Sequence, residues 1–208
     1  MFDIYVINLE ERKDRLEHIK KYFSEYNIIP VEAIKHIEGY KGCFLSHKKC
    51  IQIAKEKNLK YIIVLEDDCL PLENFNKRFE NIISFLDSYD NWDLLIGGGF
   101  HICPFHIQGK IENSTENLYK INGGYCMHFV IYNYTSYEYF LDQDISIPID
   151  HTWQNNLQCL VPIPFIATQV DNYSNITNSI EKKFSRRIKL NNSRLLNYTS
   201  DTNIKHLT

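Results

Sequence analysis

Apolar and polar positions alternate between two periods along the first hundred residues. The run inside DIYVIN (3–8) is short and rich in β-branched and aromatic residues, which predicts a buried strand. In ERKDRLEHIKKYFSEYN (11–27) the apolar positions Leu16, Ile19, Phe23 and Tyr26 step by three and four, so one helical face is apolar. IIPVEAI (28–34) predicts a second strand, weakened by Pro30, which cannot donate to a ladder. GCFLSHKKCIQIAKEKN (42–58) predicts a second amphipathic helix with Leu45, Ile51 and Ala54 inward. YIIVLEDD predicts a central strand, NFNKRFENIISFLDSY (74–89) a third helix, and WDLLIGGGF (92–100) a fourth strand ending in glycines. Strand and helix in alternation predict a parallel α/β sheet.

Beyond residue 100 the pattern changes. FHICPFHIQG, NLYKIN and GYCMHFVIY predict short strands, some antiparallel. SYEYFLDQ (136–143) and DHTWQNNL (150–157) predict short helices, the second with Asp150 as N-cap after Pro148. CLVPIPFIATQ predicts an extended segment interrupted by proline. In SIEKKFSRRIKL (179–190), Ile180, Phe184 and Ile188 lie four apart, with Lys182, Lys183, Arg186, Arg187 and Lys189 filling the rest, a basic amphipathic helix. The expected organisation is a single catalytic-size domain over 1–178, split into a ligand-binding half (1–100) and a mixed half (101–178). A basic tail follows over 179–208.

With 208 residues, 44% of them hydrophobic, the chain can fill a core of its own. A net charge of −3 argues against a nucleic-acid partner, whose binding is built on basic surface. No run reaches the roughly 18 apolar residues of a membrane span, and the N-terminus lacks the basic start and apolar stretch of a signal peptide. The expected compartment is therefore cytoplasmic, with at most weak peripheral membrane contact through the basic tail. None of the six cysteines forms a CxxC pair, which predicts free thiols rather than a zinc or thioredoxin site.

The chemistry concentrates at Glu66, Asp67 and Asp68, which end the central strand. In an open α/β sheet ligands bind beyond the carboxyl ends of parallel strands. Strand alternation places Glu66 and Asp68 on one face and Asp67 on the other. Two carboxylates at such a rim suit a hard divalent cation whose remaining ligands are water and phosphate. Asn8, Arg12 and Arg15 lie just past the end of the first strand, where arginine suits phosphate oxygens. An acid-lined strand end also occurs in phosphoacceptor receiver domains, but those need acids after the first strand, where this chain has Asn8. Ser46 and His47 lack the G-x-S-x-G elbow of a hydrolase.

These pieces resemble glycosyltransferase family 25, the family of lipopolysaccharide-type sugar transferases and collagen galactosyltransferases. The resemblance rests on Val6, Asn8, Leu9, Arg12 and Arg15; on Gly42, Cys43, Ser46 and His47; and on Leu65 through Asp68, in the same order and spacing. It implies a GT-A-type, Rossmann-like glycosyltransferase fold, a mainly parallel sheet with a mixed C-terminal half. It also implies a UDP-hexose donor (galactose or glucose), a divalent metal, typically Mn²⁺, and inversion at the anomeric carbon. The acceptor class is a glycan or a collagen-like protein. By position, Glu66 and Asp68 take the metal; Asn8, Arg12, Arg15, Ser46, His47 and Asp67 line the donor site; and Asp150 is the base. His128, His151 and Asp171 are candidates for a third metal ligand. The alternative is a catalytically silent nucleotide-sugar-binding module of the same fold.

Overall fold

The computed structural model describes residues 1–171, 173–174, 179–180, 184–201 and 206–207. The first half is built of β1 (Asp3–Asn8), α1 (Lys13–Tyr22), β2 (Asn27–Glu32), α2 (Gly39–Glu56), β3 (Tyr61–Glu66), β4 (Cys69–Pro71), α3 (Phe75–Leu86) and β5 (Leu94–Ile96). The second half adds β6 (Ile107–Ile111), β7 (Leu118–Ile121), β8 (Phe129–Asn133), α4 (Tyr137–Asp142), α5 (Ile149–Thr152), β9 (Cys159–Pro162) and β10 (Ala167–Gln169). Beyond these lie β11 (Tyr173–Ser174), β12 (Ser179–Ile180), α6 (Phe184–Asp201) and β13 (His206–Leu207).

Among the described residues one sheet holds nine strands in the order β13-β6-β7-β9-β5-β8-β3-β1-β2. Strand pairings give seven of them one direction and only β7 and β8 the other. The protein is therefore a mixed α/β structure on a large, mostly parallel sheet, as the strand–helix alternation predicts. Pro30 lies in β2, an edge strand, where a missing ladder donor is tolerated. Two smaller sheets pair β4 with β10 and β11 with β12, both antiparallel.

Side-chain alternation sorts the core into two layers. Tyr5, Ile7, Ile62 and Val64 join Phe44, Cys50, Ile51 and Ala54 of α2, together with residues of α4 and α6. Ile4, Val6, Ile63 and Leu65 face Ile19 of α1 and the apolar stripe of α3. Leu45 is only half-buried; Phe44 takes the inward position predicted for it. On the α3 side Phe79 is fully buried, with ring centroids of Phe75 at 5.3 Å, Tyr26 at 5.5 Å and Phe129 at 5.9 Å. Truncating it empties the middle of that cluster, so Phe79→Ala is expected to cost about 3–5 kcal/mol. Urea unfolding measures this as a lowered midpoint.

Several predicted boundaries move. The fourth strand stops at Ile96 because the backbone of β10 crosses the glycines. A Cβ on Gly98 would sit 2.4 Å from the Ala167 carbonyl oxygen. The predicted strand over 124–132 begins only at Phe129. The helix predicted over 150–157 is four residues long, and its N-cap is Pro148. Asp150 is thus the second helical residue and not the cap.

The predicted basic helix over 179–190 is also displaced. Ser179–Ile180 is β12, residues 181–183 with Lys182 and Lys183 lie outside the described residues, and α6 runs on to Asp201. Ile188 and Leu195 of α6 are buried in the core. Asn191 exchanges two hydrogen bonds with the backbone of Ile102: its Oδ1 accepts from the amide at 2.9 Å and its Nδ2 donates to the carbonyl at 2.7 Å. The helix is docked by its apolar face while Arg186, Arg187 and Lys189 are exposed. Among the described residues no helix is long and apolar enough to cross a membrane.

Candidate functional site

The carboxyl end of β3 opens into a cleft of about 450 Å³ between the end of β1, the segment over 33–37 and the first turns of α2. Glu66, Asp67, Asp68 and Arg15 all line it. The parity of β3 continues through its last residues. Glu66 turns to the α2 side, where Cys43 Sγ lies 3.5 Å and His47 Nε2 3.4 Å from its Oε1. Asp67 turns to the α1 side and accepts a 2.7 Å hydrogen bond from Arg15 Nη1. Asp68, beyond the strand, accepts long contacts of 3.3 and 3.5 Å from the side-chain amide of Gln169 in β10.

Three carboxylates thus share one rim with one directly bonded arginine. Burial, and then the charges of Glu66 and Asp67, push the Asp68 carboxyl up to about 7, against the opposing pull of Arg15 and Gln169. Burial also holds Asp67 above its ordinary value despite Arg15. Burial acts in the same direction on Glu66, but the hydrogen bond and charge of His47 outweigh it and leave this carboxyl lowered. Acid repulsion is therefore relieved at Glu66 and Asp67 by neighbouring side chains and is left standing at Asp68.

Arg15 and Asp67 are each only 12% exposed in their side chains. Removing the guanidinium strands a buried carboxylate, which costs about 3 kcal/mol or more. Arg15→Ala is expected to lower the urea midpoint accordingly. An unchanged midpoint would mean that Asp67 is solvated without its partner.

The remaining predicted residues separate into groups. Arg12 precedes α1 and bonds Asp14 at 3.4 Å, so it touches the acids only through its field on Asp67. Asn8 is buried at the end of β1 and donates to the Leu9 carbonyl at 2.8 Å. The Ser46 hydroxyl is spent inside the protein, donating to the Gly42 carbonyl at 2.7 Å and accepting from the Ile34 amide at 2.8 Å. It pins the cleft wall over 33–37 to α2. His47 is fully buried, and its Nδ1 lies 3.0 Å from the Tyr132 hydroxyl.

Asp150 approaches from α5. Burial, and then the charge of Glu66, push its carboxyl up to about 7, while the Cys126 backbone N–H pulls the other way. Of the three candidates for a further ligand, Asp171 bonds the Ser185 amide at 2.8 Å and its hydroxyl at 2.9 Å, which caps α6. His151 is exposed, with its ring centroid 5.0 Å from that of Tyr125. His128 is fully buried, and neither ring nitrogen makes a hydrogen bond of normal length. Burial pushes it down to about 4, so it is neutral at neutral pH even though the charge of Glu66 favours protonation.

Sequence reasoning assigned no site role to Cys43, Gln169 or Tyr132. Cys43 and His47 stand four apart on one helix, a spacing that puts both on one face and could have been read. Gln169 lies 101 positions from Asp68 and carries no sequence signal.

Residues 34–120 match the family model of glycosyltransferase family 25 (LPS biosynthesis protein). The chain is 28% identical over 127 residues to procollagen galactosyltransferase 1-B of Xenopus laevis, covering 46% of this chain and 21% of that protein. It is 35% identical over 96 residues to the lipooligosaccharide biosynthesis protein lic2B of Haemophilus influenzae, covering 35% of this chain and 36% of that protein. A third relative, 35% identical over 68 residues and covering 32% of this chain and 12% of that protein, is the probable inactive glycosyltransferase 25 family member 3 of Rattus norvegicus. The chain spans about a third or less of the length of these relatives. The matched stretch takes in α2, β3 and the whole Glu66–Asp68 rim, so the similarity to glycosyltransferase family 25 falls on the residues that build the cleft.

Proposed function

We propose that the protein is a metal-dependent, inverting hexosyltransferase of GT-A type. It moves galactose or glucose from a UDP-sugar to a hydroxyl group of a glycan or of a collagen-like protein. The observation that carries this reading is the rim of three carboxylates at the end of β3, with Asp68 left the least compensated of them.

The donor set fits a hard divalent cation such as Mn²⁺: carboxylate oxygens on a cleft, with Asp68 held only by the long amide contacts of Gln169. Glu66 and Asp68 would hold the ion. When bound, it supplies charge for the diphosphate that leaves. The other steps belong to the chain. Arg15 fixes Asp67 and adds positive charge beside the donor phosphates. Gln169 orients Asp68. The acceptor oxygen attacks the anomeric carbon from the face opposite the nucleotide, the bond from that carbon to the diphosphate oxygen breaks, and UDP departs. Asp150 takes the acceptor proton. A carboxylate raised to about 7 is well matched to that work at neutral pH.

Isothermal calorimetry with a panel of nucleotide sugars, first with Mn²⁺ and then with EDTA, tests the reading. Binding of one UDP-hexose that EDTA abolishes is expected. No binding by any nucleotide sugar would overturn it. The match to a probable inactive relative favours one further reading, a module that binds donor without turnover. Metal-dependent binding with no sugar transfer or donor hydrolysis would select that reading.

A further inference from the structure

We propose that Cys43, His47 and Glu66 form a second metal site, for a thiophilic divalent cation of the zinc class. A fourth position opens to the cleft. The inference stands apart from the transferase reading and does not require a sugar donor.

The ligand atoms of these three residues lie within 4.8 Å of one another. Two edges of the set are informative: 3.5 Å from sulfur to carboxylate oxygen and 3.4 Å from imidazole nitrogen to the same oxygen. A tetrahedral zinc with bonds of about 2.3 Å to sulfur and about 2.0–2.1 Å to nitrogen and oxygen has edges of about 3.5 and 3.3 Å. Both edges to Glu66 are already those of a zinc tetrahedron, the sulfur-to-nitrogen edge is within 4.8 Å, and 3.4 Å is long for a charge-assisted hydrogen bond. Thiolate, imidazole and carboxylate together select a softer ion than the all-oxygen rim does.

The support around the site is also that of a metal centre. Cys43 and His47 are an i, i+4 pair on the rigid α2, and Glu66 ends the central strand. The second nitrogen of His47 is engaged by the buried Tyr132 hydroxyl at 3.0 Å, which fixes the ring that would present Nε2 to an ion. Cys43 and Glu66 are partly exposed and give an ion an entry path. The expectation that a chain without CxxC lacks a zinc site counted only cysteine pairs along the sequence; here the set is assembled by a helix and a strand. Because Glu66 belongs also to the acid rim, zinc in this position withdraws a carboxylate from that rim.

The test uses the full metal-stripped chain, titrated with Zn²⁺ against a chromogenic chelator and, separately, with Co²⁺. One zinc per chain is expected, with a thiolate-to-cobalt charge-transfer band and the intense visible bands of tetrahedral cobalt. Cys43→Ser should weaken zinc at least a hundredfold and erase the charge-transfer band, whereas Cys103→Ser should leave both. Tyr132→Phe should weaken zinc by about ten- to a hundredfold. Absence of stoichiometric zinc, a cobalt spectrum without the thiolate band, or unchanged affinity in a folded Cys43→Ser would overturn the proposal. If Cys43→Ser does not fold, alkylation of the wild-type chain read by mass spectrometry decides: zinc must protect Cys43.

Discussion

Asp68→Ala is expected to lower metal-dependent UDP-sugar affinity at least a hundredfold, about 2.7 kcal/mol or more, without lowering the unfolding midpoint of the metal-free protein. The two halves of that result have one cause. Glu66 has His47 and Cys43 beside it, and Asp67 has Arg15, so Asp68 is the acid of the rim with the least internal compensation. Taking it away relieves like-charge repulsion in the empty cleft and removes a ligand from the loaded one. A residue kept for folding would behave in the opposite way. Calorimetry with Mn²⁺ and urea unfolding without it read the two halves separately. Donor affinity that survives the substitution would remove Asp68 from the metal site.

Asp150→Asn is expected to spare donor binding and reduce turnover by about 10²–10⁴-fold, the usual worth of a positioned base. Asparagine keeps the size of the side chain and an oxygen for the Cys126 N–H, so the first turn of α5 is preserved. What it loses is the capacity to take a proton. Single-turnover transfer, with donor affinity measured alongside, separates this outcome from a general disturbance of the cleft. Turnover close to normal would reduce Asp150 to a structural acceptor for the Cys126 amide.

The acid rim was legible because both of its signals are local. Four apolar residues followed by Glu-Asp-Asp fix a strand and its end, and strand parity then sends Glu66 and Asp67 to opposite faces, as their partners on α2 and α1 confirm. The helices α1 and α3 were legible from apolar steps of three and four. What escaped was non-local. Gln169 meets Asp68 only because β10 pairs with β4. The fourth strand was read too long because Gly98 records a close crossing by a chain segment some seventy positions away. Asp150 was read as a cap from the preceding Pro148, but Pro148 itself takes that place, and the burial that raises Asp150 is a property of the assembled core. Asp171, near the basic segment, caps α6, a contact that its surroundings in the sequence do not announce.

The rim is divided between two sheets of unequal strength. Glu66 ends a strand flanked on both sides, by β1 and β8, and its own amide bonds the His128 carbonyl at 3.0 Å. Gln169 belongs to the three-residue pairing of β4 with β10, and Asp68 adjoins it, its carbonyl accepting from the Val170 amide at 2.8 Å. The β4–β10 pair is joined to the end of β5 by the Ile166 and Ala167 amides, which donate to the Gly97 carbonyl at 2.8 and 3.1 Å. A cation that joins Glu66 to Asp68 would add a further tie between the small sheet and the large one. Its binding is expected to appear as slowed amide exchange across the three-residue pairing of β4 with β10.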